Sequence, residues 1–162
     1  MCTGESPVQF SGCSFTENTA HDGGGVYGGD VRLWSSTFSG NAAEDLGGAL
    51  YFYPVGGACG HYAYEIGNCI IAFSAAGEAI YAGDWYPDLP VTCTNIYGNA
   101  GGDWTGPLAP SCGTNGNVSE DPLFCGADNP GSPFTLHADS PCAPTANPEC
   151  GLIGAWGVGC QV

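Results

Sequence analysis

Three acidic side chains occupy the positions of this sequence where catalysis is easiest to place. Asp22 stands just before one Gly-rich stretch, and Glu44 and Asp45 stand just before the next. If these stretches stack as neighbouring coils, Asp22 and Asp45 come within roughly 5 Å, the carboxylate separation of retaining glycosidases. A glycoside hydrolase is then one hypothesis, and a polysaccharide lyase another, with Arg32 as the only Lys or Arg available to it. Because Asp often caps backbone N–H groups in turns, a structural role is the competing interpretation.

The same carboxylates are the candidate ligands for a metal ion. Asp22, Glu44 and Asp45, together with turn carbonyls, could supply several of the oxygens that Ca²⁺ prefers. The sequence contains no Asp-rich loop with the spacing of a calcium-binding motif, and its three histidines share no common spacing. We therefore expect no required cofactor, and calcium is the ion that the composition favours.

An aromatic residue recurs after an aliphatic one at the end of three successive units. The pairs are Val26-Tyr27, Leu50-Tyr51 and Ile80-Tyr81. Because successive side chains of a strand point to opposite faces, the aliphatic residues should lie inside and the tyrosines outside, stacked ~4.8 Å apart. An outward aromatic column can bind sugar rings, or it can serve only to stabilise the strands. Trp85 and Tyr86, in a loop nearby, extend the candidate binding surface.

These residues belong to an imperfect repeat. One unit reads Phe15-x-x-Asn18-x-Ala20 before its Gly-rich stretch, and the next repeats the pattern 23 residues later, from Phe38. A period in the low twenties with short apolar strands is typical of one coil of a parallel β-helix. The third unit shortens to Ile71-Ala72-Phe73, and Glu78 replaces the glycines found at positions 24 and 48. The pattern predicts an all-β solenoid.

The repeat also predicts what fills and closes each coil. We expect Phe15, Phe38 and Phe73 to stack in the interior. Asn18 and Asn41 should form an amide ladder at a turn, bonded to each other and to the backbone. From Thr105 onward Pro becomes frequent and the repeat fades. We predict one domain over 1–162, with repeat coils in 1–104 and irregular final coils plus a disulfide-pinned cap in 105–162, in which Trp156 is buried.

These motifs resemble the repeats of bacterial secreted and surface proteins, in particular the polymorphic outer-membrane-protein repeats. The resemblance rests on Phe-x-x-Asn-x-Ala and Gly-Gly-Ala/Val-hydrophobic between Cys13 and Tyr81. The closing stretch, with DPLFC from Asp121 and CGLIGA from Cys150, is similar to the last coils of exported β-helix proteins. The resemblance implies a right-handed parallel β-helix on a bacterial surface or outside the cell. It also implies adhesion or carbohydrate contact. Because Met1 is followed at once by turn-rich sequence typical of the middle of a domain, we also expect a fragment of a longer exported protein.

The charge excludes several classes of partner. The chain has one Arg, no Lys and a net charge of −15. It therefore cannot neutralise a row of phosphates, which argues against nucleic acid, and an anionic membrane surface would repel it. No apolar run is long enough to span a bilayer, so we expect no membrane insertion.

Ten cysteines, none of them in a CxxC motif, favour disulfides over a zinc site. Disulfides persist in oxidising compartments, which fits an exported protein. Connectivity does not follow from sequence, but the short loops suggest the pairs Cys59–Cys69 and Cys142–Cys150.

Taken together, the sequence predicts a non-catalytic extracellular surface module for glycan binding or adhesion. Its partner would be a glycan or another surface protein. A carbohydrate-active enzyme using Asp22, Glu44 and Asp45 is the alternative, and a purely structural scaffold is the second alternative. The oligomeric state is left open.

Overall fold

The chain is built from short parallel strands. A computed structural model describes residues 7–53, 64–83 and 89–160. In these ranges only two short helices occur, both 3₁₀, at Gly106–Ser111 and Gly126–Asp128. The strands are β1 (Val8–Ser11), β2 (Ser14–Thr16), β3 (Thr19–Ala20), β4 (Val26–Gly28), β5 (Val31–Trp34), β6 (Thr37–Ser39), β7 (Ala42–Ala43), β8 (Leu50–Phe52), β9 (Glu65–Gly67), β10 (Ile70–Ala72), β11 (Ile80–Tyr81), β12 (Val91–Thr92), β13 (Asn95–Tyr97), β14 (Leu136–His137) and β15 (Val158–Cys160).

Strands from successive passes of the chain lie on top of one another. Sheet A has the order β1-β5-β9-β12, sheet B β2-β6-β10-β13, sheet C β3-β7 and sheet D β4-β8-β11. Every pair in these sheets is parallel. The first coil holds β1 to β4, the second β5 to β8, the third β9 to β11 and the fourth β12 and β13. The result is a parallel β-solenoid of about six turns, which confirms the predicted fold class.

The coil interior is a set of aliphatic and aromatic columns. In sheet D the register places Val26, Leu50 and Ile80 one above another. Leu50 and Ile80 are buried, and Val26 packs against the same core. The alternation of side chains therefore gave the inward face correctly. In sheet B, Phe15 stacks on the buried Phe38 with ring centroids 4.7 Å apart.

The prediction for Phe73 was wrong. The register of sheet B places Ile71, not Phe73, above Phe38. Phe73 follows the end of β10 with a φ of +58° and is 38% exposed. It occupies the left-handed turn position that Gly40 takes one coil earlier, and its ring packs edge-on against Tyr97. Phe73 has the same residue type as Phe15 and Phe38, but strand alternation decides which side chain points inward.

Side chains inside the turns hydrogen-bond from coil to coil, and the predicted asparagine ladder is confirmed. Asn18 Nδ2 donates to Asn41 Oδ1 (3.1 Å), and Asn41 Nδ2 donates to Phe15 O (2.8 Å). Asn99 continues the column, accepting from Ser74 N and donating to the carbonyl oxygen of residue 71. These bonds satisfy buried backbone groups where the strands end.

The polypeptide from Cys150 to Trp156, which we call the strap, lies across the outer face of sheet B. It runs from the fourth coil back to the first, so it crosses four coils in turn. Its hydrogen bonds are Asn68 Nδ2 to Cys150 O (2.8 Å) and Leu152 O (3.0 Å), Gly154 N to Asn68 O (2.7 Å), Ala155 N to Thr37 Oγ1 (3.0 Å), and Trp156 Nε1 to Ser14 Oγ (2.7 Å).

The strap closes a second apolar core outside the coils. Ile70 and Ala72 of β10 face it and are buried together with Leu136, Cys142 and Ile153. Trp156, predicted to be buried, is 45% exposed because it ends the strap at the edge of the first coil. That the region 105–162 also caps an open end of the solenoid stays a prediction.

Both suggested disulfide pairs were wrong. Cys150 bonds to Cys93 rather than to Cys142, and a second disulfide joins Cys125 to Cys160. Cys69 is a buried free thiol whose Sγ contacts Gly67 O at 3.2 Å, so it is not paired with Cys59, which lies outside the described residues. Burial raises the pKa of Cys69 to about 12. The observed bonds join distant segments, which short loops in the sequence could not indicate.

These disulfides suggest an oxidising, secreted environment. Nowhere in the described ranges does a helix reach the length and apolarity needed to cross a bilayer.

Candidate functional site

The tyrosine ladder, formed by Tyr27, Tyr51 and Tyr81, runs along the outer face of sheet D. The register aligns the three residues, and adjacent rings stack with centroids 4.9 Å apart in both pairs. The interplanar angles are 14° and 21°. Tyr27 is 56% exposed and the other two rings are partly buried. The prediction of an outward ladder is confirmed.

The stacking decides which parts of the rings a ligand can reach. Because the rings lie face to face along the solenoid axis, the inner faces are covered by neighbouring rings. Tyr53 adds to this by stacking on Tyr27 at 5.0 Å. Ring edges therefore line the side of the ladder, and within the described residues no ring stacks on the face of Tyr81 that points away from Tyr51. A sugar ring would therefore find an uncovered ring face at the Tyr81 end of the ladder rather than along the whole column.

A glycine allows the preceding turn to approach the ladder. Gly23 has a φ of +62°, a conformation that side chains rarely adopt. A Cβ at this position would lie 2.6 Å from Val26 O and 3.0 Å from Tyr51 Cβ. The backbone just after Asp22 is therefore packed directly against the base of the ladder.

The His–Asp cluster, formed by His21, Asp22 and Asp45, lies in this turn. One ligand atom from each residue lies within 4.8 Å of the others, which agrees with the predicted approach of Asp22 to Asp45. His21 Nδ1 is 3.2 Å from Asp22 Oδ2. The hydrogen bond to Asp22 and the negative charge of that residue raise the pKa of His21. Glu44 is not a member of this cluster among the described residues.

Asp22 also has a structural role. Its Oδ1 accepts a hydrogen bond from Leu46 N at 3.3 Å, across to the next coil. This is the turn-capping role that competes with catalysis. Arg32 is on β5 of sheet A, where the register places it opposite Glu65, so it belongs to another sheet than the turn of the cluster. Arg32, the cation that a lyase would use, is therefore paired in register with Glu65 and not with the carboxylates of the cluster.

The cluster and the ladder form one surface. Burial is the main cause of the raised pKa of Tyr51, followed by the neighbouring phenols and then by the carboxylates of Asp22 and Asp45. Gly23, which follows Asp22 directly, packs against Tyr51, so the cluster lies beside the ladder. The surface thus offers aromatic edges, carboxylate acceptors and an imidazole, the groups that recognise hydroxyl-rich molecules.

The remaining predicted residues, Trp85 and Tyr86, lie outside the described residues. A pocket that the sequence did not indicate opens beside Tyr81, with a volume of about 330 Å³, and Glu78 is part of its wall. The only signal for it was the replacement of a repeated glycine by Glu78.

Comparison of the chain with protein-family models, with curated proteins and with solved structures gave no match. The fold and the surface described above therefore carry the functional argument.

Proposed function

We propose that this chain is a non-catalytic extracellular module that binds glycans through the tyrosine ladder and the His–Asp cluster beside it. The observation that carries the proposal is the regular, outward stack of Tyr27, Tyr51 and Tyr81 on a rigid sheet. Aromatic side chains at the surface combine an apolar body with a polar hydroxyl, which suits the mixed surface of a sugar. An exposed aromatic patch of this kind usually marks an interaction site.

The electrostatics support neutral or cationic glycans as ligands. The chain carries a net charge of −15, and two carboxylates of the cluster adjoin the ladder. Acidic polysaccharides would be repelled unless a divalent ion bridged the carboxylates. Calcium would serve as that bridge through Asp22 and Asp45, whereas the imidazole of His21 favours a transition metal. Binding measured with and without a chelator separates metal-bridged binding of an acidic polysaccharide from direct binding of a glycan.

The location belongs to the proposal as well. The disulfides favour an oxidising compartment, and the resemblance to polymorphic outer-membrane-protein repeats supports a bacterial surface. A module of this kind would contribute to adhesion, with a host or microbial glycan as its partner.

A glycan array with the wild-type chain and the Tyr27→Ala variant tests the proposal. We expect binding to one group of neutral or cationic glycans, weakened about tenfold in Tyr27→Ala because the most exposed ring of the ladder is lost. Tyr97→Ala, on sheet B, is the matched control and should bind as the wild type does. Absence of binding to every glycan would refute the proposal and leave a scaffold role.

The enzyme alternative rests on the approach of Asp22 to Asp45 beside His21. Prolonged incubation of each glycan that binds, followed by product analysis, decides this question. Cleavage that disappears in Asp45→Asn would establish a glycoside hydrolase. Binding without any product would exclude it for those glycans.

A further inference from the structure

The tyrosine ladder ends where the next coil leaves the repeat. Gly101 and Gly102 still pair with the third coil, through Gly101 N to Gly77 O (3.0 Å) and Ala79 N to Gly102 O (2.9 Å). The chain then turns into the 3₁₀ helix Gly106–Ser111 instead of adding a strand to sheet D. Within the described residues β11 is therefore an edge strand, and the face of Tyr81 that points away from Tyr51 has no ring stacked on it.

The residue that breaks the glycine pattern stands at this point. A Cβ on Gly24 or Gly48 would lie 2.4 Å from a carbonyl oxygen of the next coil, so these positions have no room for a side chain. Glu78 occupies the equivalent position in the third coil and carries a full side chain there. The missing strand creates the space, and an acidic group occupies its edge.

The space is a pocket of about 330 Å³ whose wall includes Glu78, Tyr81, Gly83, Gly101, Thr105 and Pro107. It combines an aromatic ring, a proline ring, a hydroxyl group and main chain from a strand edge. No ion pair to Glu78 occurs in the part of the chain that the structure describes. With one Arg in the whole sequence, few cations of the protein itself could neutralise this carboxylate.

We propose that this pocket binds a sugar residue carrying a free amino group, at the end of a glycan that lies along the ladder. The proposal rests on the proposed glycan-binding function and specifies the sugar. An ammonium group would pair with Glu78 and lie against the face of Tyr81, where a cation is attracted to the π-system. The net charge of −15 favours the approach of a cation and disfavours a uronic acid.

Calorimetric titration with two matched ligands tests this proposal. The ligands are a tetramer of β-1,4-linked glucosamine and its fully N-acetylated form. We expect the glucosamine tetramer to bind more tightly to the wild type. Glu78→Gln should weaken its binding about tenfold, because a charge-assisted hydrogen bond is lost, and leave any binding of the acetylated form unchanged. Glu149→Gln, which removes one exposed negative charge elsewhere, is the matched control and should change binding less than twofold.

Two results would overturn the proposal while leaving the proposed function intact. One is binding of other glycans to the ladder with no binding of the glucosamine tetramer. The other is an equal loss in Glu78→Gln and Glu149→Gln, which would indicate attraction to the overall charge. If no glycan of any kind binds, both proposals fail together. If Glu78→Gln unfolds at the same temperature as the wild type, the loss of binding comes from the pocket and not from a loss of folding.

Discussion

Removal of the disulfide between Cys93 and Cys150 should release the strap from the solenoid. In Cys93→Ser/Cys150→Ser the unfolded chain gains the freedom of a loop of 57 residues, which corresponds to about 4 kcal/mol at 25 °C. For a domain of this length, 1 kcal/mol shifts Tm by about 2–4 °C, so we expect Tm to fall by about 8–16 °C. Urea unfolding followed by circular dichroism measures the free energy directly.

The control is the second disulfide. Cys125→Ser/Cys160→Ser opens a loop of 35 residues, and chain entropy alone makes its cost only ~0.4 kcal/mol smaller. The two variants should therefore lose similar stability but differ locally. Hydrogen exchange should accelerate at Gly154 N and Ala155 N, the strap donors, only when the Cys93–Cys150 bond is absent.

Two results would contradict this reasoning. If the amides of the strap stay protected without the Cys93–Cys150 bond, the hydrogen bonds and the second core hold the strap by themselves. If both variants expose the strap equally, the strap and the region near Cys160 open as one unit. Cys142 should not take part in disulfide rearrangement, because burial raises its pKa to about 11 and keeps its thiol protonated. The exposed thiol of Cys112 is alkylated before the measurement so that it cannot exchange.

Three further outcomes follow from positions described above. Gly48→Ala should lower the free energy of unfolding by about 1–3 kcal/mol, measured in urea, because its Cβ would lie 2.4 Å from Ala76 O; an unchanged value would show that the coils can separate there. Iodoacetamide should label the exposed Cys112 in the native protein and leave the buried Cys69 unmodified, as read by mass spectrometry. Asp22→Asn should move the pKa of His21 down toward 6.5 in an NMR titration, because Asp22 is the main cause of its increase. The stability that the His21–Asp22 pair contributes is present below pH 6.5 and is lost as pH rises through the raised pKa of His21. The wild type and Asp22→Asn should therefore become alike in stability at high pH.

The parts that the sequence predicted correctly are those determined by strand alternation. Leu50 next to Tyr51 and Ile80 next to Tyr81 give both the inward column and the outward ladder, because neighbours on a strand face opposite ways. Phe73 shows where inference from residue type fails. Its type matched the motif, but it lies just after the strand, and only the register with the previous coil shows this.

The strap and the disulfides could not have been predicted in the same way. The contact of Trp156 with Ser14 joins residues 142 positions apart, and no repeat relates the strap to the coils that it covers. Cys69 illustrates a related difficulty. It lies in a buried turn, where its backbone N–H donates a hydrogen bond to Thr94 Oγ1 of the following coil. Its Sγ contacts Gly67 O, so its role is structural, and its pairing with a local cysteine was a wrong inference.

The strap also determines the order in which the parts of this molecule can fold. A solenoid is stabilised mainly by contacts between adjacent coils, so folding can start at one place and extend coil by coil. Here the outer face of sheet B is completed by residues that are synthesised after every strand of that sheet. Ile70 and Ala72 therefore stay exposed until Leu136, Cys142 and the strap residue Ile153 pack against them. Contacts over such sequence distances are slow to form, which makes the unstrapped solenoid the intermediate most prone to aggregate.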